Sequence, residues 1–346
     1  MTTVIEVNRD LPQGEAMERA AAVIRSGGLV AFPTETVYGL GADAMNARAV
    51  EKVFEAKGRP ADNPLIVHVA SREMVDRVAS EVSERAERLM KEYWPGPLTL
   101  VLKRRPEVPA RVSAGLATVA VRMPRNEIAL ELIRQSDTPI AAPSANRSGR
   151  PSPTQAAHVL SDLDGRIDMI LDGGETNIGI ESTVLDMTTD VPVILRPGWV
   201  TREMLQETIG PVELAASREA LQRSPGTRYR HYSPHARVVL IEQGSPELIK
   251  QICKQHLKHN SVGLIGHTAV DITNQNFHAI ILDDSAEDYA HSIYAALRRL
   301  DEKGAGVIVV EGISERDAGA AVMDRLRRAA SQILTNQKAK GRKQKQ

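Results

Sequence analysis

The feature that most constrains this chain is a series of short β-branched runs along its first two hundred residues. They stand at 28-GLVAF-32, 65-LIVHV-69, 98-LTLVLK-103, 118-TVAVRM-123, 168-DMIL-171, 182-STVLDM-187 and 191-VPVIL-195. Runs of this length, bounded by turn residues, read as strands rather than core helices. Two helical patterns lie among them. One is 14-GEAMERAAAVIRSG-27, ended by glycine. The other is 71-SREMVDRVASEVSERAERLMKEYW-94, whose Met74, Val75, Val78, Val82, Ala86 and Leu89 make one apolar stripe, read as core packing. Some strands are joined through helices and others through short turns. The expectation is an α/β domain around a mixed, twisted sheet.

Beyond residue 200 the pattern changes. A short helix, 201-TREMLQETIG-210, is followed by 224-SPGTRYRHYSPHAR-237, richer in Arg, Tyr and His than a spacer needs. Residues 237–335 read β-α-β-β-α-β-α, with strands at 237–242, 261–266, 278–282 and 306–311 and helices at 246–257, 286–303 and 315–335. This is the pattern of a smaller, open Rossmann-like α/β domain. Its dinucleotide fingerprint is missing, because neither 263-GLIG-266 nor 304-GAGVIV-309 is G-x-G-x-x-G. The expected organisation is a first domain over 1–205, a linker or lid over 206–236, a second domain over 237–335 and a basic tail over 336–346. The tail holds five positive residues and no negative ones. It reads as a solvated segment, with a weak tRNA contact as the sharper alternative.

Composition narrows the class. With 346 residues, 42% hydrophobic and 25% charged, the chain suits two globular domains. Its 44 basic and 44 acidic residues cancel, so no global field draws it to nucleic acid or membrane. No apolar stretch has membrane-spanning length, and the first thirty residues carry acids and lack the apolar core of a signal peptide. Cys253 is the single cysteine, has no internal disulfide partner, and reads as a structural thiol. A cytoplasmic protein without membrane contact is expected.

Five polar clusters sit at the ends of the first-domain strands. In 30-VAFPTETVYGLGADA-44, Thr34, Glu35, Thr36 and Tyr38 are polar enough to face a ligand. In 57-KGRPADNPLIVH-68, Lys57, Arg59 and Asn63 precede a strand that contains His68. The others are 118-TVAVRMP-124, 139-PIAAPSANRSGRPSPTQ-155, and 179-GIESTVLD-186 with 195-LRPG-198. Period-two alternation puts Val119, Val121 and Met123 on one face of their strand, with Ala120 and Arg122 on the other. An arginine there needs an anion. A structural Asp or Glu and a substrate carboxylate, which the guanidinium fork matches bidentately, both fit. His68 taken alone is a satisfied core histidine. Lys57 and Arg59 beside a Ser/Asn-rich loop suit a triphosphate clamp, and Ser144, Asn146 and Ser152 can donate to phosphate or ribose oxygens. Turn and cap chemistry explains those serines and asparagine equally well. The chain has no P-loop, no G-x-S-x-G elbow, no kinase signature and no zinc-spaced Cys/His cluster.

The stretches FPTETVYGLG, KGRPADNPLIVH, WPGPLTLVL, VAVRMP, PIAAPSAN, GIESTV and LRPG occur in that order. Together they closely resemble the YrdC-like threonylcarbamoyl-AMP synthases. SPGTRYRHYSP and the C-terminal α/β unit resemble the two-domain form of that family. The resemblance runs from about residue 15 to about residue 335. It implies a YrdC-like catalytic domain with a concave, positively charged face. It also implies a nucleotidyltransferase reaction in which L-threonine, bicarbonate and ATP, with Mg²⁺, give threonylcarbamoyl-AMP and pyrophosphate. The product serves threonylcarbamoyladenosine modification of ANN-decoding tRNAs through a downstream threonylcarbamoyl transferase complex.

The family's Lys-x-Arg and Ser-x-Asn pattern falls on Lys57, Arg59, Ser144 and Asn146 as catalytic residues, with Lys57 near the phosphates. The resemblance assigns Thr36, His68, Arg122, the Ala142 backbone and Ser182 to threonine, with Arg122 on its carboxylate. It assigns Arg59, Asn63, Thr118, Ser144, Ser152 and Arg196 to ATP. No side chain is assigned to a metal. Arg230, His231 and Tyr232 are expected to form a lid, with Tyr232 touching the nucleotide. The rival reading is an RNA-binding module or translation factor without adenylate-forming activity. An aromatic content of 3% leaves that rival few stacking platforms.

Overall fold

The computed structural model describes residues 1–12, 14–216 and 232–335. They make two compact units, one of residues 1–148 and 152–216, the other of 149–151 and 232–335. Residues 217–231 of the expected linker, with Arg230 and His231, and the basic tail lie outside the described residues.

The strands of the first unit are β1 (Thr3–Glu6), β2 (Val30–Phe32), β3 (Gly39–Asp43), β4 (Ile66–His68), β5 (Ala79–Glu81), β6 (Leu98–Arg104), β7 (Thr118–Arg122), β8 (Ile140–Ala141), β9 (Met169–Asp172), β10 (Thr183–Asp186), β11 (Val193–Arg196) and β12 (Glu213–Leu214). They form one sheet in the order β1-β9-β2-β3-β8-β4-β7-β6-β10-β11-β12, with β5 paired to β6 off that path. β4–β7 and β6–β10 are parallel, whereas β6–β7, β4–β8 and β3–β8 are antiparallel. The sheet is therefore mixed, as expected. β12 pairs with β11, which ties residues 213–214 of the expected linker to this sheet.

The helices are α1 (Glu15–Arg25), α2 (Ala47–Lys57), α3 (Arg72–Asp76), α4 (Glu84–Tyr93), α5 (Glu127–Ser136), α6 (Ala156–Leu163) and α7 (Arg202–Ile209). The single helix expected over 71–94 is broken into α3, β5 and α4. Ser71 caps α3 by accepting from Met74 N, and Ser83 caps α4 by accepting from Ala86 N. Between the caps, β5 adds antiparallel to β6. The apolar stripe is still core. Val75, Val78, Ala86 and Leu89 are fully buried, and Met74 and Val82 pack partly against the same cluster.

The two faces of the sheet differ. Val67, Val121, Leu100 and Leu185 belong to the main core. Ile66, Ala120, Val101, Val184 and Leu195 form a small separate cluster. The alternation anticipated for 118–123 is thus realised.

The second unit has strands β13 (Arg237–Ile241), β14 (Val262–Gly266), β15 (Phe277–Ile281), β16 (Val307–Glu311) and β17 (Gln332–Leu334), with helices α8 (Pro246–Leu257), α9 (Ala286–Glu302) and α10 (Gly319–Ala329). Its sheet runs β15-β14-β16-β13-β17 and every pairing is parallel. The last helix is shorter than the 315–335 expected. At Ala330 the backbone turns extended, Ser331 donates its N–H and hydroxyl to Val238 O (both 2.9 Å), and β17 joins β13. Among the described residues no helix is long and apolar enough to cross a membrane.

Candidate active site

Strand register brings several of the singled-out residues into one row. His68 at the end of β4 pairs with Arg122 at the end of β7. Continuing the β6–β7 register places Thr99 opposite Arg122, and Thr99 pairs with Val184, which pairs with Arg196. Cross-strand partners share a face. His68, Arg122, Thr99 and Arg196 therefore lie along one line on the face opposite the main core. Ser182 extends this row. Its hydroxyl is 2.8 Å from Thr99 Oγ1, and Arg196 donates to it from Nη2 (3.2 Å) and to its carbonyl from Nε (3.1 Å). Gly198 explains the close approach, because a Cβ there would fall on the backbone of Ser182 and Thr183.

The loop 33–38 folds onto this row. Thr34 Oγ1 accepts from the N–H groups of Thr36 (3.1 Å) and Val37 (3.2 Å), a local turn that a hydroxyl supports well. Thr36 Oγ1 accepts from Arg122 Nη1 at 3.0 Å, and Thr36 O accepts from Gly179 N at 3.0 Å. Thr36 thereby ties the β7 end to the segment leading to Ser182. Tyr38, expected to face a ligand, points inward instead. Its hydroxyl donates to Gly174 O at 2.7 Å, and burial, with Asp172 beside it, pushes the phenol pKa far up.

Arg122 is 3% exposed and has a protein anion after all. Its Nη2 lies 2.8 Å from Glu35 Oε2, and its Nε donates to Gly96 O at 3.2 Å. A guanidinium has five N–H donors. The three contacts to Glu35, Gly96 and Thr36 leave two for a carboxylate. The structural anion of the two readings is thus Glu35. His68 is 4% exposed. Burial, and after it the charge of Arg122, pull its pKa from 6.5 to about 3, so the imidazole is neutral at neutral pH.

A second group lies at the opposite ends of the same strands. Continuing the β4–β8 and β4–β7 registers aligns Ser144, Pro64 and Thr118. Asn63 precedes Pro64 and is fully buried. Arg59 donates to Pro64 O at 3.1 Å. Lys57 ends α2, where Gly58 takes the left-handed conformation (φ 61°) that stops the helix. Its ammonium, 2% exposed, donates to Ser144 O at 2.5 Å and also to Asn146 O. Ser144 Oγ in turn donates to Asn146 Oδ1 at 2.6 Å. Lys57 and Arg59 thus serve carbonyls of two different segments here. The Ala142 N–H donates to Ile66 O (2.8 Å), midway between the two groups. Ser152 is buried and donates to Glu181 Oε1 at 2.5 Å. Tyr232 belongs to the second unit, where its ring stacks on Tyr294 at 5.3 Å.

The chain is similar to known proteins. The Sua5/YciO/YrdC family model, described as telomere recombination, fits residues 22–198, and the model of the threonylcarbamoyl-AMP synthase C-terminal domain fits residues 200–331. A threonylcarbamoyl-AMP synthase of Pyrococcus abyssi is 48% identical over 338 residues, covering 95% of this chain and 98% of that one. One from Bacillus subtilis is 44% identical, covering 94% and 95%. The chain belongs to the threonylcarbamoyl-AMP synthase family. The crystal structure of P. abyssi Sua5 complexed with L-threonine superposes with a TM-score of 0.91 at 46% identity, covering 96% of this chain and 99% of that one. Escherichia coli YciO matches 57% of this chain with a TM-score of 0.51 at 26% identity.

In this synthase-family chain, sequence reasoning missed three structural partners of the singled-out residues. Glu35, expected to face a ligand, instead pairs with Arg122. Thr99 and Glu181 carried no signal beyond being polar in apolar surroundings. A buried arginine demands an anion, and the acid nearest in the motif set was Glu35, so that pairing was within reach.

Proposed function

We propose that this chain joins L-threonine, bicarbonate and ATP into threonylcarbamoyl-AMP and pyrophosphate, for transfer by a downstream transferase complex to ANN-decoding tRNAs. One observation carries the reading. Residues assigned to the amino acid (Thr36, His68, Arg122) gather at one end of β4 and β7, and residues assigned to the nucleotide (Arg59, Asn63, Thr118, Ser144) gather at the other. Four residues along a strand span about 13 Å. That length suits an amino acid and a nucleotide lying end to end. Arg196 is the exception, since the resemblance gives it to ATP while it sits in the Arg122 row.

The residues then act as follows. Arg122 takes threonine's carboxylate with its remaining N–H donors while Thr36 and Ser182 orient the amino acid. His68 is too weak a base to deprotonate the amine, so it accepts a hydrogen bond and excludes water. The neutral amine adds to the carbon of bicarbonate, whose C–OH bond breaks as the hydroxyl takes the amine proton and leaves as water, and the resulting carbamate oxygen attacks the α-phosphorus. A P–O bond forms there as the bond to pyrophosphate breaks. Two anions must meet, so fixed cations and preorganised donors matter more than a strong base. Shielding from bulk water preserves the carbamate. Lys57 supports the phosphate end by holding the carbonyls of Ser144 and Asn146. Magnesium accompanies ATP in this proposal, because among the described residues no cluster of His, Cys, Asp and Glu forms a cage for it. The expected cytoplasmic location and the weak tRNA contact of the tail belong to the same proposal.

The test supplies ATP, bicarbonate and labelled threonine together and singly. Pyrophosphate should appear with a labelled adenylate only when all three are present. Release without threonine, or none at all, removes the reading.

A further inference from the structure

In the second unit, α8 is capped by Ser245, which accepts from Leu248 N at 3.3 Å, and starts with Pro246 in its first turn. Ile249 and Cys253 are fully buried in the core of that unit. Lys250, Lys254 and Lys258 follow at intervals of four along and just past this helix, so they share one side of it. Helical rise puts neighbours about 6 Å apart and the ends about 12 Å apart. These three lysines and Leu257 form one wall of an open groove of about 450 Å³, and residues 271–274 form the other. Lys254 and Lys258 are exposed, and Lys250 is half-buried. Among the described residues none of the three takes part in an ion pair or a side-chain hydrogen bond. The groove has one acid, Asp271, and it carries no aromatic residue.

We propose that this groove is a docking surface for the phosphate backbone of RNA. The charge of the partner must be negative, because three lysines face one acid, Asp271, across the groove and among the described residues none of the three is ion-paired. Its shape must be extended, because the cations lie in a line and do not converge on one point as a compact phosphate requires. An acidic protein is disfavoured, since protein interfaces depend on aromatic or aliphatic anchors and this groove offers mainly polar chain. Without an aromatic platform the bases are not stacked, so binding is independent of sequence and carried by counterion release. Lysine suits this work as a mobile point charge. The inference does not rest on the synthase reading, because its readout is binding and not turnover.

The test uses the full chain and an unmodified tRNA transcript in filter binding across a salt series. Three proteins are compared: the parent, a Lys250→Gln/Lys254→Gln/Lys258→Gln variant, and one with Lys338, Lys340, Arg342, Lys343 and Lys345 all changed to Gln. The α8 variant should keep its thermal unfolding temperature and its pyrophosphate-forming activity. It should lose affinity at low salt, with the log–log salt slope shallower by about two to three. The tail variant should keep the stripe's share of that slope. Equal affinity and slope in the α8 variant and the parent overturn the proposal. So does poly-glutamate binding as tightly as tRNA at equal charge, or lysine-dependent saturation by one inorganic pyrophosphate without effect on tRNA.

Discussion

Arg122 has two duties that a single substitution confounds. Truncating it leaves the Glu35 carboxylate buried and uncompensated, which costs about 3–5 kcal/mol. Arg122→Ala should therefore melt early and also lose threonine affinity. Pairing Arg122→Met with Glu35→Gln removes both charges. It should recover much of the stability in urea melts while equilibrium binding still shows intact ATP affinity and lost threonine affinity. Recovery of threonine binding in the pair would leave Arg122 a purely structural residue. His68 makes a prediction of opposite kind. The unfolded chain takes up a proton as pH falls through about 6.5, and the folded chain refuses it until about 3. The unfolded state thus binds more protons in this window, so stability falls with falling pH, by up to about 1.4 kcal/mol per pH unit from this group. Urea midpoints between pH 7 and pH 5 should drop less steeply in His68→Asn than in the parent.

At the scale of elements, the site depends on where helices and strands stop. Gly58 ends α2 so that the Lys57 ammonium meets the loop after β8. Lys57→Met should remove the ammonium from the buried Asn146 carbonyl and the half-buried Ser144 carbonyl, at about 1–3 kcal/mol for the buried one. Its KM for ATP should rise more than its KM for threonine, because Ser144 lies among the residues proposed for the nucleotide. An equal rise in both would detach Lys57 from that end. Gly198 acts through backbone contact rather than chemistry. Gly198→Ala has no room against Ser182 and Thr183, so β11 must shift from β10. Threonine binding, read by calorimetry, should weaken at least as much as stability does.

At the scale of the molecule, each unit has a core of its own, and the single cysteine reports on one of them. Cys253 is on the buried face of α8, and burial pushes its thiol up to about 12. Thiol reagents should find no reactive group in the native chain and one equivalent after denaturation, with the labelling rate following the opening of the second unit. Fast labelling of native protein would contradict this packing. Much of the architecture was legible beforehand, because side-chain alternation is a local property. The runs around Val67, Val121 and Leu185 stated their strand identity, the alternation around Val121 also separated the two faces of its strand, and the helix-ending glycine after α1 was equally plain. Periodicity failed where it was ambiguous. Met74 to Leu89 satisfy a helical repeat whether or not the chain breaks at Val78, and only the availability of β6 as a neighbour makes β5. Helices α2 and α5, which Asn46 and Asn126 cap, were not anticipated, because short helices beside apolar strands blur the pattern. Residue type alone established that Arg122 must meet an anion and that His68 must be costly to charge. That Glu35 is the anion, and that the residues proposed for the two ligands fall at opposite ends of β4 and β7, depended on sheet order, because hydrogen-bonded register between strands distant in sequence is written in no local stretch.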